Sequence, residues 1–189
     1  MDIRGFTALS ENKAPETIVD LLNDYLTRVT NTVIKYGGHV NKFVGDEVMA
    51  VFGAPVANAG HAQSAVRAAL EIQDEIGELN RQKKMNGVKI GIGVGINSGE
   101  MLSGNLGSEK RMEYTVIGDN VNIASRLTKA AKAGEILISK KTFDAMEEKN
   151  GDFCFEARGK APVKGRRAHV AIYSVTRSKE EPYENSQAQ

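Results

Sequence analysis

Two long segments of the chain carry apolar residues at helical spacing. The first runs from Pro15 to Gly37 and has apolar residues at Ile18, Leu21, Leu22, Tyr25, Leu26, Val29 and Val33. The second runs from about His61 to Lys83 and has them at Ala62, Ala65, Val66, Ala69, Ile72, Ile76 and Leu79. This spacing gathers the apolar side chains on one helix face, and proline suits a first helical turn. The pattern predicts two amphipathic helices.

Shorter segments alternate in the manner of strands. Apolar residues alternate from Val40 to Phe52 around the polar tip Val44-Gly45-Asp46-Glu47, which predicts a hairpin. In the segment 88–97, β-branched residues alternate with Gly91, Gly93 and Gly95. Glycine weakens a strand interior, so we expect a helix or another backbone to approach this strand closely. A nucleotide-binding glycine loop is disfavoured, because no G-x-G-x-x-G pattern opens a helix here.

The remaining patterns complete an α+β domain. They predict a polar turn region over 98–110, strands over 112–117, 135–139, 153–157 and 169–175, and helices over 119–132 and 140–149. From this order we predict a ferredoxin-like core whose helices pack on one face of a mixed sheet. The domain is expected to span 1–177, and the charged tail, 178–189, is expected to be flexible.

Composition narrows the classes of partner. With 25 basic and 24 acidic side chains among 189 residues, the net charge is +1, which gives no electrostatic footprint for nucleic acid or a membrane surface. Cys154 is the lone cysteine, and the histidines are too scattered to suggest zinc, so a reducing, cytoplasmic setting is expected. No apolar run approaches the roughly 18 residues of a membrane span. If a larger parent protein has a membrane anchor, we expect it outside this chain.

Two acidic motifs suggest a divalent-metal site. They are Asp2-Ile3-Arg4-Gly5-Phe6-Thr7 and Phe43-Val44-Gly45-Asp46-Glu47. Hard cations such as Mg²⁺ bind nucleotides through one or two protein carboxylates, phosphate oxygens and water, which points to a nucleotide-processing enzyme. Two plainer interpretations stay open: an Asp after Gly is an ordinary hairpin residue, and Asp2 could belong to a frayed terminus.

Further motifs give the acidic pair a family context. They are Lys42-Phe43-Val44-Gly45-Asp46, Tyr114-Thr115-Val116-Ile117-Gly118-Asp119, Val121-Asn122-Ile123-Ala124-Ser125-Arg126 and Val163-Lys164-Gly165. Together, and in this order, the motifs resemble the catalytic domain of class III adenylyl and guanylyl cyclases, most closely the microbial adenylate cyclases. The resemblance covers nearly the whole chain, although the strand that carries Asp2 is shorter than is usual in the family. It implies a ferredoxin-like core that works as a head-to-tail homodimer, with sensor or regulatory domains upstream in the parent protein.

The resemblance also implies how phosphate and metal are held. Asp2 and Asp46 would bind two Mg²⁺ or Mn²⁺ ions, one activating the ribose 3′-hydroxyl and the other neutralising the triphosphate and the departing pyrophosphate. The turn at Ile3, Gly5, Phe6 and Thr7 would present backbone N–H groups to phosphate oxygens.

Three more residues receive roles from the resemblance. Arg126 would stabilise charge on the α-phosphate, Asn122 would orient the ribose, and Lys164 would bind the terminal phosphates. Asn122 and Arg126 lie four positions apart and share a helix face. It also stays open that this pair forms only a solvated helix face and that Lys164 lies at a solvated strand end.

The resemblance also assigns base selection to Lys42 and Thr115, and it stays open that Lys42 is a plain strand residue. A lysine donates to the adenine N1 acceptor, and a hydroxyl accepts from N6, so the pair favours ATP. Guanylyl members of the family usually carry Glu and Cys at these positions, whereas many adenylyl members carry Asp where Thr115 stands. The resemblance also implies that these residues, with Asn122, Arg126 and Lys164, complete the metal half of the partner subunit. Two equivalent composite sites would result.

Rival functions remain open from the sequence. A diguanylate cyclase shares the core fold, and its signature hairpin is echoed by Val44-Gly45-Asp46-Glu47-Val48, but the two valines break it and Asn122 and Arg126 have no role there. A guanylate cyclase is a second rival, and a silent nucleotide-binding or dimerisation module is a third.

Overall fold

A computed structural model describes residues 1–82, 88–147, 152–161 and 170–178, without the side chains of 160 and 161. The helices are α1 (Phe6–Glu11), α2 (Pro15–Lys35), α3 (His61–Arg81), α4 (Asp119–Ala130) and α5 (Lys140–Asp144). The strands are β1 (Asp2–Ile3), β2 (Gly38–Val44), β3 (Glu47–Phe52), β4 (Ile92–Ile96), β5 (Leu102–Ser108), β6 (Arg111–Ile117), β7 (Ile136–Ser139), β8 (Phe153–Ala161) and β9 (Val170–Arg177). No helix within these described ranges is long and apolar enough to cross a membrane.

A mixed sheet lies at the centre of the fold. Its order in the described part of the chain is β1-β4-β7-β9-β8, with β4 and β7 parallel and the other neighbours antiparallel. The predicted α+β class is therefore confirmed. The strands β2 and β3 form one antiparallel hairpin, as the alternation predicted, and β5 and β6 form another.

The main core lies between the sheet and the long helices α2 and α3. Tyr25 and Val29 of α2 and Ile72 of α3 are almost completely buried in one cluster with Ile92 and Ile138 of the sheet. The apolar stripes of the two helices face this cluster, so both predicted amphipathic helices are confirmed.

The glycines of β4 admit α4 on the opposite face of the sheet. A Cβ atom placed on Gly95 would lie 2.5 Å from the carbonyl oxygen of Ala124, and one on Gly91 would lie 2.7 Å from the Cβ of Ala133. The expected close approach to this strand is therefore confirmed. The expectation that all helices share one face is wrong, because Leu127 of α4 belongs to a separate cluster with Leu137 on the far side of β7.

Several predicted boundaries differ from the structure. The predicted turn region over 98–110 contains the strand β5, whose residues pair with β6 along its whole length. Its leucines, Leu102 and Leu106, are exposed, so the segment lacks the half-buried alternation that identifies a strand. The predicted strand over 88–97 begins at Ile92, because the Asn80 side chain binds the backbone N–H and carbonyl of Ile90 in place of a neighbouring strand.

Some predictions fall at the edge of the described residues. The predicted helix over 140–149 is α5, which ends at Asp144, while positions 148 and 149 lie outside the described ranges. A short helix, α1, precedes Pro15 and was not predicted from the apolar pattern. Apart from Ser178, the predicted tail lies outside the described residues and stays a prediction.

Candidate active site

The fold brings the two acidic motifs together. The backbone groups of Met1 and Val48 bind each other at N–O distances of 3.0 and 2.8 Å. Next along the strand, the Ile3 N–H donates to a carboxylate oxygen of Asp46 at 2.8 Å. Because Asp2 lies between Met1 and Ile3, the hairpin tip that bears Asp46 is fixed beside the strand that bears Asp2. Two motifs that are distant in sequence thus meet.

This acidic pair provides the ligand chemistry that a nucleotide-bound cation needs. In the described ranges, no group of three or more His, Cys, Asp or Glu side chains is placed to hold a metal ion. A site of one or two carboxylates suits Mg²⁺ or Mn²⁺ that also takes oxygens from phosphate and water. The donor set of Asp2 and Asp46 therefore fits the predicted ions, whose presence stays a prediction.

Arg4 supplies positive charge to the acidic pair. Its guanidinium forms an ion pair with the Asp2 carboxylate and donates to the carbonyl oxygen of Ala131 at 3.2 Å, just past the end of α4. The sequence places Arg4 in a motif but gives it no role. The spacing of Arg4 two residues after Asp2 on a short strand could have suggested their ion pair. The contact of Arg4 with α4 depends on the tertiary fold and could not be predicted from that spacing.

Tyr25 reaches toward the acidic pair from within the core. Its side chain is 0% exposed, and its hydroxyl has no hydrogen-bond partner among the described residues. Burial raises the pKa of this phenol well above its ordinary value, and the negative charge of Asp46 raises it further. The helical stripe identified Tyr25 as a core residue but gave no sign of its polar end.

The turn after β1 has the backbone conformation expected for its motif. Gly5 has a φ of +69°, in the left-handed region that favours glycine, and α1 begins at the next residue, Phe6. The N–H groups of the first helical turn point out of a helix start, which is where Phe6 and Thr7 stand. The Ile3 N–H, predicted to contact phosphate, donates to the Asp46 carboxylate instead. The predicted contacts of Gly5, Phe6 and Thr7 with phosphate stay predictions.

The two base-selecting candidates lie on neighbouring hairpins that contact each other. Asn41, next to Lys42, accepts a hydrogen bond from the Thr115 hydroxyl at 3.0 Å and donates to the Tyr114 carbonyl at 3.1 Å. The Lys42 ammonium donates to Glu113 at 3.3 Å, and this bond is the main reason that the pKa of the Glu113 carboxyl is lowered. The structure thus brings Lys42 and Thr115 together, and adds Asn41 and Glu113, which the sequence analysis missed.

The residues predicted to act on the α-phosphate lie on α4. Asn122 is exposed and Arg126 is partly buried one turn further along. The Nη1 atom of Arg126 is shielded from solvent and has no hydrogen-bond partner among the described residues. Within those residues, no hydrogen bond or ion pair joins Asn122 or Arg126 to Asp2 or Asp46. Lys164 lies outside the described residues.

Comparison with known proteins identifies the family. A family model described as the adenylate and guanylate cyclase catalytic domain matches residues 1–177. The chain belongs to this family, and the resemblance seen in the motifs is confirmed. The match also agrees with the α+β fold and with the convergence of the acidic motifs described above.

Individual relatives include both kinds of cyclase. Adenylate cyclase 1 of Rhizobium meliloti is 32% identical over 183 residues, which are 92% of this chain and 26% of that protein. The crystal structure of the adenylyl cyclase CyaB from P. aeruginosa is 40% identical with a TM-score of 0.88, covering 95% of this chain and 92% of that one. The guanylyl cyclase Cya2 is 34% identical with a TM-score of 0.85, covering 97% and 91%. The chain thus spans about a quarter of the length of the Rhizobium relative.

Proposed function

We propose that this chain is an adenylate cyclase domain that converts ATP to 3′,5′-cyclic AMP and pyrophosphate. The observation that carries the proposal is the convergence of Asp2 and Asp46, fixed by the bond from the Ile3 N–H to the Asp46 carboxylate. This arrangement offers oxygen ligands beside the turn at Gly5, as a cation-bound triphosphate requires.

In the proposed reaction, the ribose 3′-oxygen attacks the α-phosphorus in line with the leaving group. The 3′-hydroxyl gives up its proton to water and the new 3′-O–P bond forms. The bond from the α-phosphorus to the bridging oxygen breaks, and pyrophosphate leaves with the electron pair. Two Mg²⁺ or Mn²⁺ ions held by Asp2 and Asp46 would supply charge neutralisation and a lowered pKa of the hydroxyl. No covalent enzyme intermediate is needed.

The cationic side chains complete the proposed chemistry. Arg126 has a shielded N–H group that is not used by the described part of the chain, so it is free to bind an α-phosphate oxygen as charge builds there. We assign Asn122 to the ribose and Lys164 to the terminal phosphates, as the family resemblance implies. Loss of such a charge-stabilising group typically costs on the order of 10²-fold in turnover.

The base contacts favour ATP over GTP. The Thr115 hydroxyl donates to Asn41, which leaves its oxygen lone pairs to accept from adenine N6. The Lys42–Glu113 bond is a half-exposed ion pair of small energy, so the ammonium can turn to adenine N1 at low cost. The resemblance to the guanylyl cyclase Cya2 keeps guanylate cyclase as the second candidate.

We further propose that the active form is a homodimer with two composite sites. Leu102, Leu106 and Ile117 share one face of the β5–β6 hairpin and are all exposed, and Thr115 stands on the same face. We name these three exposed residues the hairpin patch. An exposed apolar cluster beside a nucleotide-contacting residue is what a shared site at a subunit interface requires. The proposed setting is cytoplasmic, which fits the free, exposed Cys154, and the proposed partners include sensor or regulatory domains of the parent protein.

The test is incubation of the purified chain with ATP or GTP and either Mn²⁺ or Mg²⁺, with chromatographic identification of the product. We expect cyclic AMP from ATP and loss of product in Asp46→Asn, which keeps an acceptor for the Ile3 N–H but removes the charge. Asp24→Asn, an exposed carboxylate on α2, is the matched control and should retain activity. Cyclic GMP as the main product would favour the guanylate cyclase, and no cyclic product from a folded chain would favour the silent module.

A further inference from the structure

Arg4 connects the acidic pair to the end of the helix that carries Asn122 and Arg126. One side of its guanidinium pairs with Asp2, and Nη1 donates to the carbonyl oxygens of Ala131 and Lys129 at 3.2 and 3.5 Å. The backbone N–H of Arg4 is also fixed, because it donates to the Gly91 carbonyl at 2.8 Å. The same side chain therefore contacts a predicted metal ligand and the C-terminal end of α4.

A glycine in β4, Gly93, leaves space for the Arg4 side chain. A Cβ atom on Gly93 would lie 3.1 Å from both Nε and Cζ of Arg4 and 3.0 Å from the Ala131 carbonyl oxygen. The guanidinium thus lies against the bare backbone of β4, in space that any other residue would narrow. Because Gly93 has no side chain, there is room for the Arg4 side chain to cross from β1 to the end of α4.

Electrostatics makes this contact responsive to metal. The last carbonyls of a helix carry partial negative charge, so a cation stabilises them, and the Asp2 carboxylate competes for the same cation. A metal ion bound to Asp2 takes up part of the carboxylate charge and weakens its attraction for Arg4. The guanidinium then interacts more strongly with the carbonyls of Lys129 and Ala131. This difference between the metal-free and metal-bound states is what a coupled equilibrium needs.

We propose that Arg4 is a positioning residue that couples metal binding at Asp2 to the end of α4 in the same chain. The inference rests on the proposed homodimer, in which Asp2 serves one composite site while Asn122 and Arg126 of the same chain serve the other. Metal binding at one composite site would therefore change the position of α4, which completes the other composite site. The two sites of the dimer are coupled through Arg4.

The first test measures the helix directly, without turnover. Hydrogen exchange of backbone amides in residues 129–133 is followed with and without saturating Mn²⁺ alone, in the unsubstituted chain, Arg4→Gln and Arg28→Gln. Arg28 is the matched control, because its side chain has the same 24% exposure and pairs with Glu75 on α3. We expect Mn²⁺ to slow exchange in the unsubstituted chain and in Arg28→Gln, and to leave Arg4→Gln unchanged. Exchange that ignores Mn²⁺ in the unsubstituted chain, or responds equally in Arg4→Gln, would overturn the coupling.

The second test measures at which of the two composite sites turnover falls when Arg4 is substituted. A chain with Arg126→Ala keeps the carboxylates, a chain with Asp46→Asn keeps α4, and their mixed dimer has one intact site. Arg4→Gln is then added to the Asp46→Asn chain, whose own Asp2 belongs to the inactive site, or separately to the Arg126→Ala chain. Because Asp46→Asn also removes the metal site of its own chain, this test asks whether Arg4 positions α4 for the partner's site, and hydrogen exchange tests the dependence on metal. We expect turnover at the intact site to fall by roughly two- to thirty-fold, the range of typical coupling effects. An effect confined to the Arg126→Ala chain would mean that Arg4 acts on its own site alone.

The two proposals fail separately in these experiments. If the unsubstituted chain makes no cyclic nucleotide while Mn²⁺ slows exchange at 129–133 in that chain but not in Arg4→Gln, the proposed activity is wrong and the link through Arg4 stands. If the chain makes cyclic AMP and the exchange is insensitive to Mn²⁺, the activity stands and the coupling is wrong. Thermal unfolding of each variant confirms that the compared chains are folded.

Discussion

The buried hydroxyl of Tyr25 lowers the stability of the folded chain, because no described residue hydrogen-bonds to it. The Tyr25 hydroxyl, which no described residue binds, lies within the core, close enough for the charge of Asp46 to affect its pKa. Leaving such a donor unpaired costs desolvation energy, whereas phenylalanine would fill the same space without it. We therefore expect the Tyr25 hydroxyl to donate a hydrogen bond to the acidic pair when a bound cation rearranges the two carboxylates.

Tyr25→Phe should separate these two effects. We expect the free energy of unfolding of the metal-free chain to stay equal or rise, and the apparent dissociation constant for Mn²⁺ to rise by about two- to tenfold, the value of one hydrogen bond. Thermal unfolding over a Mn²⁺ titration measures both. Tyr36→Phe is the control, since its hydroxyl bonds Glu71 far from the acidic pair. Equal Mn²⁺ affinity in Tyr25→Phe and the unsubstituted chain would contradict this role.

We expect that substitutions at Lys42 and Thr115 can reverse base selection only if the negative charge of Glu113 beside Lys42 is also removed. Lys42→Glu with Thr115→Cys presents the groups that the family uses for guanine, but it also sets a second carboxylate beside Glu113. Like charges that close repel, so we expect the double variant to lose activity with both nucleotides. Adding Glu113→Gln should restore turnover and shift the ratio of kcat/KM values toward GTP. A triple variant that still prefers ATP would show that these positions do not read the base.

At the scale of elements, the position of α4 depends on the bare face of β4. Gly95→Ala would place a methyl group 2.5 Å from the Ala124 carbonyl oxygen. Overpacking of this kind typically costs about 1–3 kcal/mol of folding free energy, and here it would also displace the helix that bears Arg126. We expect both the denaturation midpoint and the turnover to fall. Gly77→Ala on α3 is the control, since the nearest side-chain atom to that added Cβ is Nη1 of Arg81 at 3.7 Å, an ordinary contact distance, and an equal loss there would contradict the packing argument.

How far the sequence predicts an element depends on where its side chains go. The stripes of α2 and α3 were readable because their apolar residues all face one core, and the glycines of β4 were readable because three in alternation demand a close neighbour. The strand β5 was not predicted because Leu102 and Leu106 are exposed, so its apolar residues do not alternate with polar ones as in a half-buried strand. Its pairing with β6 is made by backbone groups that every sequence shares.

The candidate site shows the same limit. Spacing alone could not place Asp2 against Asp46, since their contact is fixed by backbone bonds between β1 and the hairpin tip, and the family resemblance supplied that pairing. The roles of Arg4 and Tyr25 were not readable from either source. Their contacts join residues that are distant in sequence, and both side chains look ordinary in their local patterns.

At the scale of the whole molecule, the hairpin patch predicts how activity depends on concentration. Leu102 is 80% exposed in the lone chain and stands on the face that carries Thr115. Burying one leucine side chain contributes about 2 kcal/mol, and a two-fold dimer buries it twice. Leu102→Asp should therefore raise the dimer dissociation constant by 10²-fold or more, on the order expected for a loss of that size.

The dilution series that tests this prediction compares specific activity with mass measured by light scattering or sedimentation. The unsubstituted chain should lose specific activity as it dissociates, and Leu102→Asp should do so at much higher concentration while its cyclic AMP output recovers when it is concentrated. Val56→Asp is the control: Val56 is about as exposed but lies on neither hairpin, so its dissociation should match that of the unsubstituted chain. Specific activity that stays constant while the dimer falls apart would mean that one chain holds a complete site. In that case Arg126 would have to reach the acidic pair of its own chain, and the coupling through Arg4 would act within a single site.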